Sequence, residues 1–236
     1  MMPTTESSSL RPLKARDRQV VEFVARNRLA TVETLRRCIF NNSSGNAVAK
    51  LVNRLCAVWL LGKYTLFHPV RYFVLGEAGA KVVGLRSART WALGPQSLPI
   101  EYGILLYCTH GHPRRRRLTT QEIRADWPWL SEALAAQPHV LDGPSQMLEL
   151  LRVDLGGPAD HVARKCAHDI LARRRCAEFA AMVATGRFRL VVITATPEKA
   201  TAVRRALDRH VWPSGLRIHT SVLPQLLFLT ARGRYA

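Results

Sequence analysis

No stretch of the chain approaches the roughly 18 consecutive apolar residues that a membrane-spanning helix requires. The opening MMPTTESSSL has no apolar middle of the secretory kind. A protein that is neither secreted nor membrane-spanning, and therefore cytoplasmic, is the expectation. Cysteines at metal or redox spacing are also missing: Cys38, Cys56, Cys108, Cys166 and Cys176 are odd in number and none are separated by two residues, which reads as reduced thiols. Glycine is dense only at Gly156 and Gly157, outside any G-x-G-x-x-G or G-K-[ST] context, and there is no G-x-S-x-G elbow. Nucleotide-dependent and serine-hydrolase chemistry therefore have no support. No internal repeat appears.

Acidic residues are scarce relative to basic ones. The 236 residues hold 17 Asp and Glu against 35 Lys and Arg, a formal net charge of +18. The excess is spread, with 13 basic and 5 acidic side chains in residues 1–85 and 22 and 12 in residues 86–236. Charge on both halves suggests a broad surface that neutralises several backbone phosphates rather than one basic tail. Membrane-surface and ribosome-associated proteins are the other basic classes. With 47% apolar residues, each half can bury a core.

Residues 1–12 are rich in Ser, Thr and Pro and read as a disordered N-terminus. From residue 15 to 27 the stripe Val20, Val21, Phe23, Val24 predicts a helix, and Thr31 caps a second, with Glu33 in its first turn and Leu35, Cys38 and Ile39 on one face. Asn41, Asn42, Ser43, Ser44 and Gly45 break the pattern and start a third helix running to about Trp59. At 100° per residue Val48, Leu51, Val52 and Leu55 gather on one side, with Asn46, Lys50, Asn53 and Arg54 opposite. Asn pairs with adenine edges, Arg with guanine, and Lys reaches guanine or phosphate, so this face has the chemistry of a recognition helix in a major groove; it also suits an ordinary solvated face. Gly62 is expected to end the helix. Strands at 63–66 and 71–75 then flank the turn Phe67, His68, Pro69, Val70, which gives the winged helix-turn-helix layout for residues 13–85. Lys63, His68 and Arg71 are placed to grip phosphate or a minor groove.

Residues 86–98 read as a linker, and residues 99–236 as an α/β domain. The pattern predicts a strand at 100–108, a basic loop at 109–117 carrying Arg114, Arg115, Arg116 and Arg117, and a helix at 120–135. Strands at 139–141 and 147–155, a long helix at 159–185, a strand at 190–194, a helix at 198–210, a strand at 216–220 and a short terminal helix follow. The arginine run is suited to phosphate contacts without base specificity.

The run KARDRQVVEFVA at 14–25, the threonine-led second helix and the G-K-Y-x-L segment resemble bacterial replication-relaxation proteins of plasmids and mobile elements. The resemblance implies a winged helix followed by a restriction-endonuclease-like domain, and a role in replication or transfer of mobile DNA. That endonuclease fold needs an Asp on one strand and acid-x-Lys on the next, because two carboxylates hold Mg²⁺ while an ammonium supports the attacking water. The candidates are Asp142, Glu149 and Asp154, and no lysine completes the motif. A non-catalytic relative is therefore expected, without cofactor; a metal-dependent nuclease using Asp142 with Glu149 or Asp154 is the alternative. Zinc at Cys108, His110 and His112, or at His161, Cys166 and His168, has no recognised spacing. The expected protein is thus a non-enzymatic, homodimeric binder of double-stranded DNA, a nucleoid- or plasmid-associated transcriptional regulator or replication accessory factor. An adaptor for an acidic protein partner is a third possibility. On this reading alone, Lys50→Ala with Arg54→Ala weakens duplex binding roughly tenfold or more in a gel-shift titration and leaves the fold intact.

Overall fold

The structure, a computed structural model, describes residues 13–85, 90–110 and 115–230. It is a mixed α/β protein with two sheets. The first three helices are α1 (Ala15–Asn27), α2 (Val32–Cys38) and α3 (Gly45–Ala57). Thr31 caps α2, its hydroxyl accepting from the Thr34 N–H at 3.2 Å while the Thr34 hydroxyl accepts from the Thr31 N–H at 2.9 Å. Ser44 caps α3 by accepting from the Ala47 N–H. These satisfy N–H groups that the first turn of a helix otherwise leaves without partners.

The antiparallel hairpin β1 (Leu61–Phe67) and β2 (Val70–Leu75) follows, and Gly62 belongs to its first strand instead of terminating α3. Ala30 adds a bridge to Phe73, with backbone bonds of 2.9 and 2.8 Å. Side chains alternate across a strand, so this ribbon has two faces. Leu61, Phe73 and Leu75 close the core of α1 to α3 over Val20, Val24, Leu35, Val52 and Leu55. Leu66, Tyr72 and Val74 turn the other way, into a core shared with the second half of the chain. The exit helix α4 (Glu77–Val82) packs under the hairpin base, where a Cβ on Gly79 would meet the Leu60 carbonyl oxygen at 2.2 Å.

Residues 86–89 of the expected linker lie outside the described residues, as does 1–12. Residues 90–96 carry no helix or strand, yet the Leu93 N–H donates to the Tyr72 hydroxyl at 3.0 Å. The expected strand at 100–108 is a helix, α5 (Ser97–Thr109). Every residue from Glu101 to Thr109 is buried, so no polar face marks the helical period, and a fully buried apolar run cannot be assigned by periodicity.

The second sheet has the order β3-β4-β5-β6-β7, with strands β3 (Arg115–Arg117), β4 (His139–Asp142), β5 (Met147–Val153), β6 (Phe188–Thr194) and β7 (Arg217–Val222). The first two pairings are antiparallel and the last two parallel. The helix expected at 120–135 is broken at Trp127 and Pro128 into α6 (Thr120–Asp126) and α7 (Glu132–Ala135), because Pro cannot continue the ladder. The one expected at 159–185 divides into α8 (Ala159–Arg173) and α9 (Ala177–Ala184). Helices α8, α9 and α10 (Pro197–Leu207) cover one face of the sheet through Leu148, Leu150, Leu190 and Val192. Helix α5 covers the other through Leu151, Val153, Val191 and Ile193. After a short 3-10 turn, α11 (Leu227–Thr230) returns to the hairpin, where Phe228 stacks on Phe67 with centroids 4.8 Å apart.

Ion pairs edge the shared core. Arg26 of α1 donates to Glu122 of α6 at 2.7 Å, and Arg116 grips the same carboxylate. Arg28 donates to Glu101 of α5 at 2.7 Å, and Arg117 joins it while also donating to the Asn27 carbonyl at 2.9 Å. Burial pushes the Glu122 carboxyl up, but the bonds from Arg26 and Thr119 outweigh it and bring the group down to about 2 from 4.5. The folded protein then releases the Glu122 proton more readily than the unfolded chain. Its stabilising contribution is complete above pH 4.5 and is lost as pH falls toward 2. Glu122→Gln is expected to flatten the loss of stability over that window, measured by urea unfolding at stepped pH; an unchanged slope contradicts the seam role.

Candidate nucleic-acid interface

Helix α3 buries Val48, Val52 and Leu55, which leaves Asn46, Lys50, Asn53 and Arg54 exposed. The alternation of β1 continues outward from Leu61 to Lys63 and Thr65, and that of β2 from Phe73 to Arg71. The polar outer half of the ribbon thus stands beside the helix. The Lys63 ammonium donates to the Asn53 side-chain oxygen at 3.0 Å, and the Arg71 guanidinium donates to the Thr65 hydroxyl across the hairpin. A groove of about 490 Å³ runs between α2, α3 and the ribbon, lined by Glu33, Ala49, Asn53, Lys63, Val70 and Arg71. Glu33 brings a negative charge to one wall, but the hydrogen bond and charge of Arg36, with Arg37 beside it, hold its carboxyl below the ordinary value.

Arg54 differs from its neighbours. Its guanidinium donates to the Asp17 carboxylate in the first turn of α1 at 2.6 Å, and Asp17 is buried. About half of the Arg54 side chain is exposed, but its charged end ties α3 to α1. Nothing local to α3 announces this partner, which lies 37 residues earlier in the chain. His68 is exposed at the hairpin tip, and the tip is braced from behind by the Phe67–Phe228 stack, a contact 161 residues apart in sequence that no local pattern announces.

The arginine run is not a loop reaching into solvent. Arg114 lies outside the described residues. Arg115, Arg116 and Arg117 form β3 and pair in register with Asp142, Leu141 and Val140. The Arg115 side chain is only 12% exposed; it lies over the Tyr107 ring at 4.2 Å with its Nε 3.4 Å from Glu149. Arg117 is 11% exposed and held by Glu101, while Arg116, on Glu122, keeps 43% exposure. The reading of Arg115 and Arg117 as phosphate grips is therefore corrected: their charged ends are committed to buried carboxylates.

The carboxylates of the nuclease alternative do not assemble. Glu149 is fully buried and held by Arg115 and Arg189. Asp154 is an odd number of positions along and so belongs to the other sheet face, within 3.8 Å of the Lys199 ammonium. Asp142 accepts from the Ser145 hydroxyl at 2.7 Å at the end of β4. Guanidiniums occupy the ground beside Glu149 that a divalent cation would need, so the donor set does not fit one. Among the described residues no group of three or more His, Cys, Asp or Glu could hold a metal. Cys166 is buried whereas His161 and His168 are exposed on the opposite side of α8. Burial pushes the Cys108 and Cys166 thiols up to about 12, and His110 turns to Arg37 at 2.8 Å. His112 lies outside the described residues.

Comparison with family models, with curated proteins and with solved structures gave no match. Among the described residues no helix is long and apolar enough to cross a membrane.

The geometry separates a brace from a surface group. Arg54→Ala leaves the buried Asp17 carboxylate without its cation and is expected to cost about 1–3 kcal/mol of stability. Lys50→Ala, with no carboxylate partner among the described residues, should change it by less than about 0.5 kcal/mol. Chemical denaturation of the two variants checks this, and equal losses would refute the distinction.

Proposed function

We propose that the chain binds double-stranded DNA, with α1 to α3 and the hairpin acting as a winged helix-turn-helix unit and α3 entering the major groove. One observation carries this reading. Between Glu33 and Glu77 there is no Asp or Glu, while Arg36, Arg37, Lys50, Arg54, Lys63 and Arg71 all fall in that span. The same span supplies α3 and both strands of the ribbon. Arg36 and Arg37 pair with Glu33 and Arg54 with Asp17, but Lys50, Lys63 and Arg71 have no carboxylate partner among the described residues, and cations left open in this way are suited to an array of phosphates. Asn46, Lys50 and Asn53 face outward with donor and acceptor groups that match base edges. Lys63, His68 and Arg71 line the ribbon at positions that reach backbone or minor groove.

In this proposal the second unit is a scaffold, not a nuclease. Kinship with nuclease-like folds rests on the resemblance in the first helices, and the arginine-locked Glu149 supports inactivity. Work as a homodimeric regulator or as a replication or transfer factor of a mobile element rests on the resemblance in the first helices. Two-fold symmetry would double the short site that one such unit reads.

Lys50→Ala combined with Asn53→Ala is expected to weaken binding to a selected duplex by about tenfold or more, at unchanged folding stability. Fluorescence anisotropy against a site recovered from a random pool measures it, and wild-type affinity in the double variant would defeat the proposal. Plasmid DNA incubated with the protein and Mg²⁺ or Mn²⁺ should remain uncut.

A further inference from the structure

On the face of the second sheet that α5 covers, the edge strand β7 carries exposed polar side chains. Helix α5 closes over Leu151, Val153, Val191 and Ile193, but toward the start of β6 and β7 the same face holds Arg189, Arg217 and His219. Arg189 and Arg217 are direct partners on neighbouring parallel strands, and His219 lies two positions beyond Arg217, on the same side. Arg217 and His219 are exposed, and no carboxylate pairs with Arg217 among the described residues. The Arg217 guanidinium lies against the turn at Gly186, where a Cβ would stand 2.9 Å from it.

Beside this ledge, on the neighbouring strand β5, is the cluster built on Glu149. Its carboxylate takes Arg115 on one side and Arg189 on the other, and the Tyr107 hydroxyl, the Arg115 and Arg189 Nε groups and one Glu149 oxygen are all buried without a hydrogen-bond partner. The cationic groups outweigh the acid at the surface. Burial and then the charges of Arg189 and Arg115 push the His219 imidazole below its ordinary value; Arg204 of α10 adds to this and Glu149 opposes it. The charged form of the imidazole is thus disfavoured beside these cations.

From this we infer a second nucleic-acid contact: the ledge of Arg189, Arg217 and His219 binds the phosphodiester backbone of duplex DNA, without reading sequence and without cutting. Arg217 supplies the exposed charge, His219 a hydrogen bond, and Arg189, fixed by Glu149, the field behind them. The inference rests on the DNA-binding reading above but uses a different surface, so the two can fail separately.

The test is a salt titration of the full chain against a duplex of generic sequence. Each phosphate that the protein ceases to neutralise lowers the slope of log K against log salt by about 0.9. Arg217→Ala is expected to lower the slope by about that amount, Arg217→Lys to restore it, and Arg217→Glu to weaken binding beyond the alanine variant, all with unchanged thermal unfolding. Discrimination between a selected and a generic duplex should be the same in Arg217→Ala as in the wild type, whereas Lys50→Ala with Asn53→Ala should lose it. A wild-type slope in Arg217→Ala overturns the ledge and leaves the α3 reading intact. A lowered slope in Arg217→Ala beside wild-type discrimination in the α3 variant upholds the ledge and removes the α3 reading. Absence of duplex binding by the wild-type protein overturns both.

Discussion

A two-stranded ribbon with apolar side chains on both faces cannot remain at the edge of a small helical unit. It must be covered twice. Leu61, Phe73 and Leu75 satisfy one face within the first three helices, while Leu66, Tyr72 and Val74 enter a second core that α5 shares with the five-stranded sheet. At roughly 25 cal/mol per Å² of apolar surface removed from water, this cover is what joins the two halves. It also explains why α5 has no exposed side from Glu101 to Thr109: its core is shared with both the ribbon and the five-stranded sheet. Two isolated ribbon strands are marginal in water, so the outer positions Lys63, Thr65 and Arg71 owe their placement beside α3 to this double burial.

The scarcity of acids shapes the rest. Glu33, Glu101, Glu122 and Glu149 each hold two arginines, and for Glu101 and Glu122 the two come from different halves of the chain. Each acid so used converts two mobile cations into fixed ones, and a carboxylate bridging two guanidiniums loses less side-chain entropy per ion pair than separate pairs would. The consequence is a sorting of the basic residues. Those facing Glu101, Glu122 or Glu149 serve the seam and the sheet interior; Lys50, Lys63 and Arg71 around α3 and the ribbon, and Arg217 on the open ledge, have no carboxylate partner among the described residues.

Local chemistry made the first unit legible. Thr31 and Ser44 as caps, the apolar stripe of α1 and the opposed faces of α3 each follow from residues within one or two turns, and the structure places all three where that reading puts them. What failed was anything decided by a distant partner. The run at 100–108 is a helix because it is enclosed on all sides, and enclosure is not written in its period. Arg115 and Arg117 appeared as a solvated loop because their partners, Glu149 and Glu101, are separated from them by 34 and 16 residues. The long helix expected at 159–185 broke after Arg173, a buried arginine whose side chain donates to the Asp169 carbonyl at 2.8 Å and to Gln137 at 2.6 Å.

These misreadings share a physical cause. In a chain this basic a cation says little by itself, since most surfaces already carry one. What discriminates is whether a carboxylate is within reach. Arg54 and Lys50 stand one turn apart on the same helix face and look equivalent in the sequence, yet Asp17 makes the first a strut between helices and leaves the second outward. Arg115 and Arg217 lie on the two edge strands of one sheet and differ in the same way, the first drawn down by Glu149 and the second resting on a glycine turn. Net charge therefore sets how strongly the molecule attracts a polyanion, and the placement of its few acids sets where that polyanion can be held.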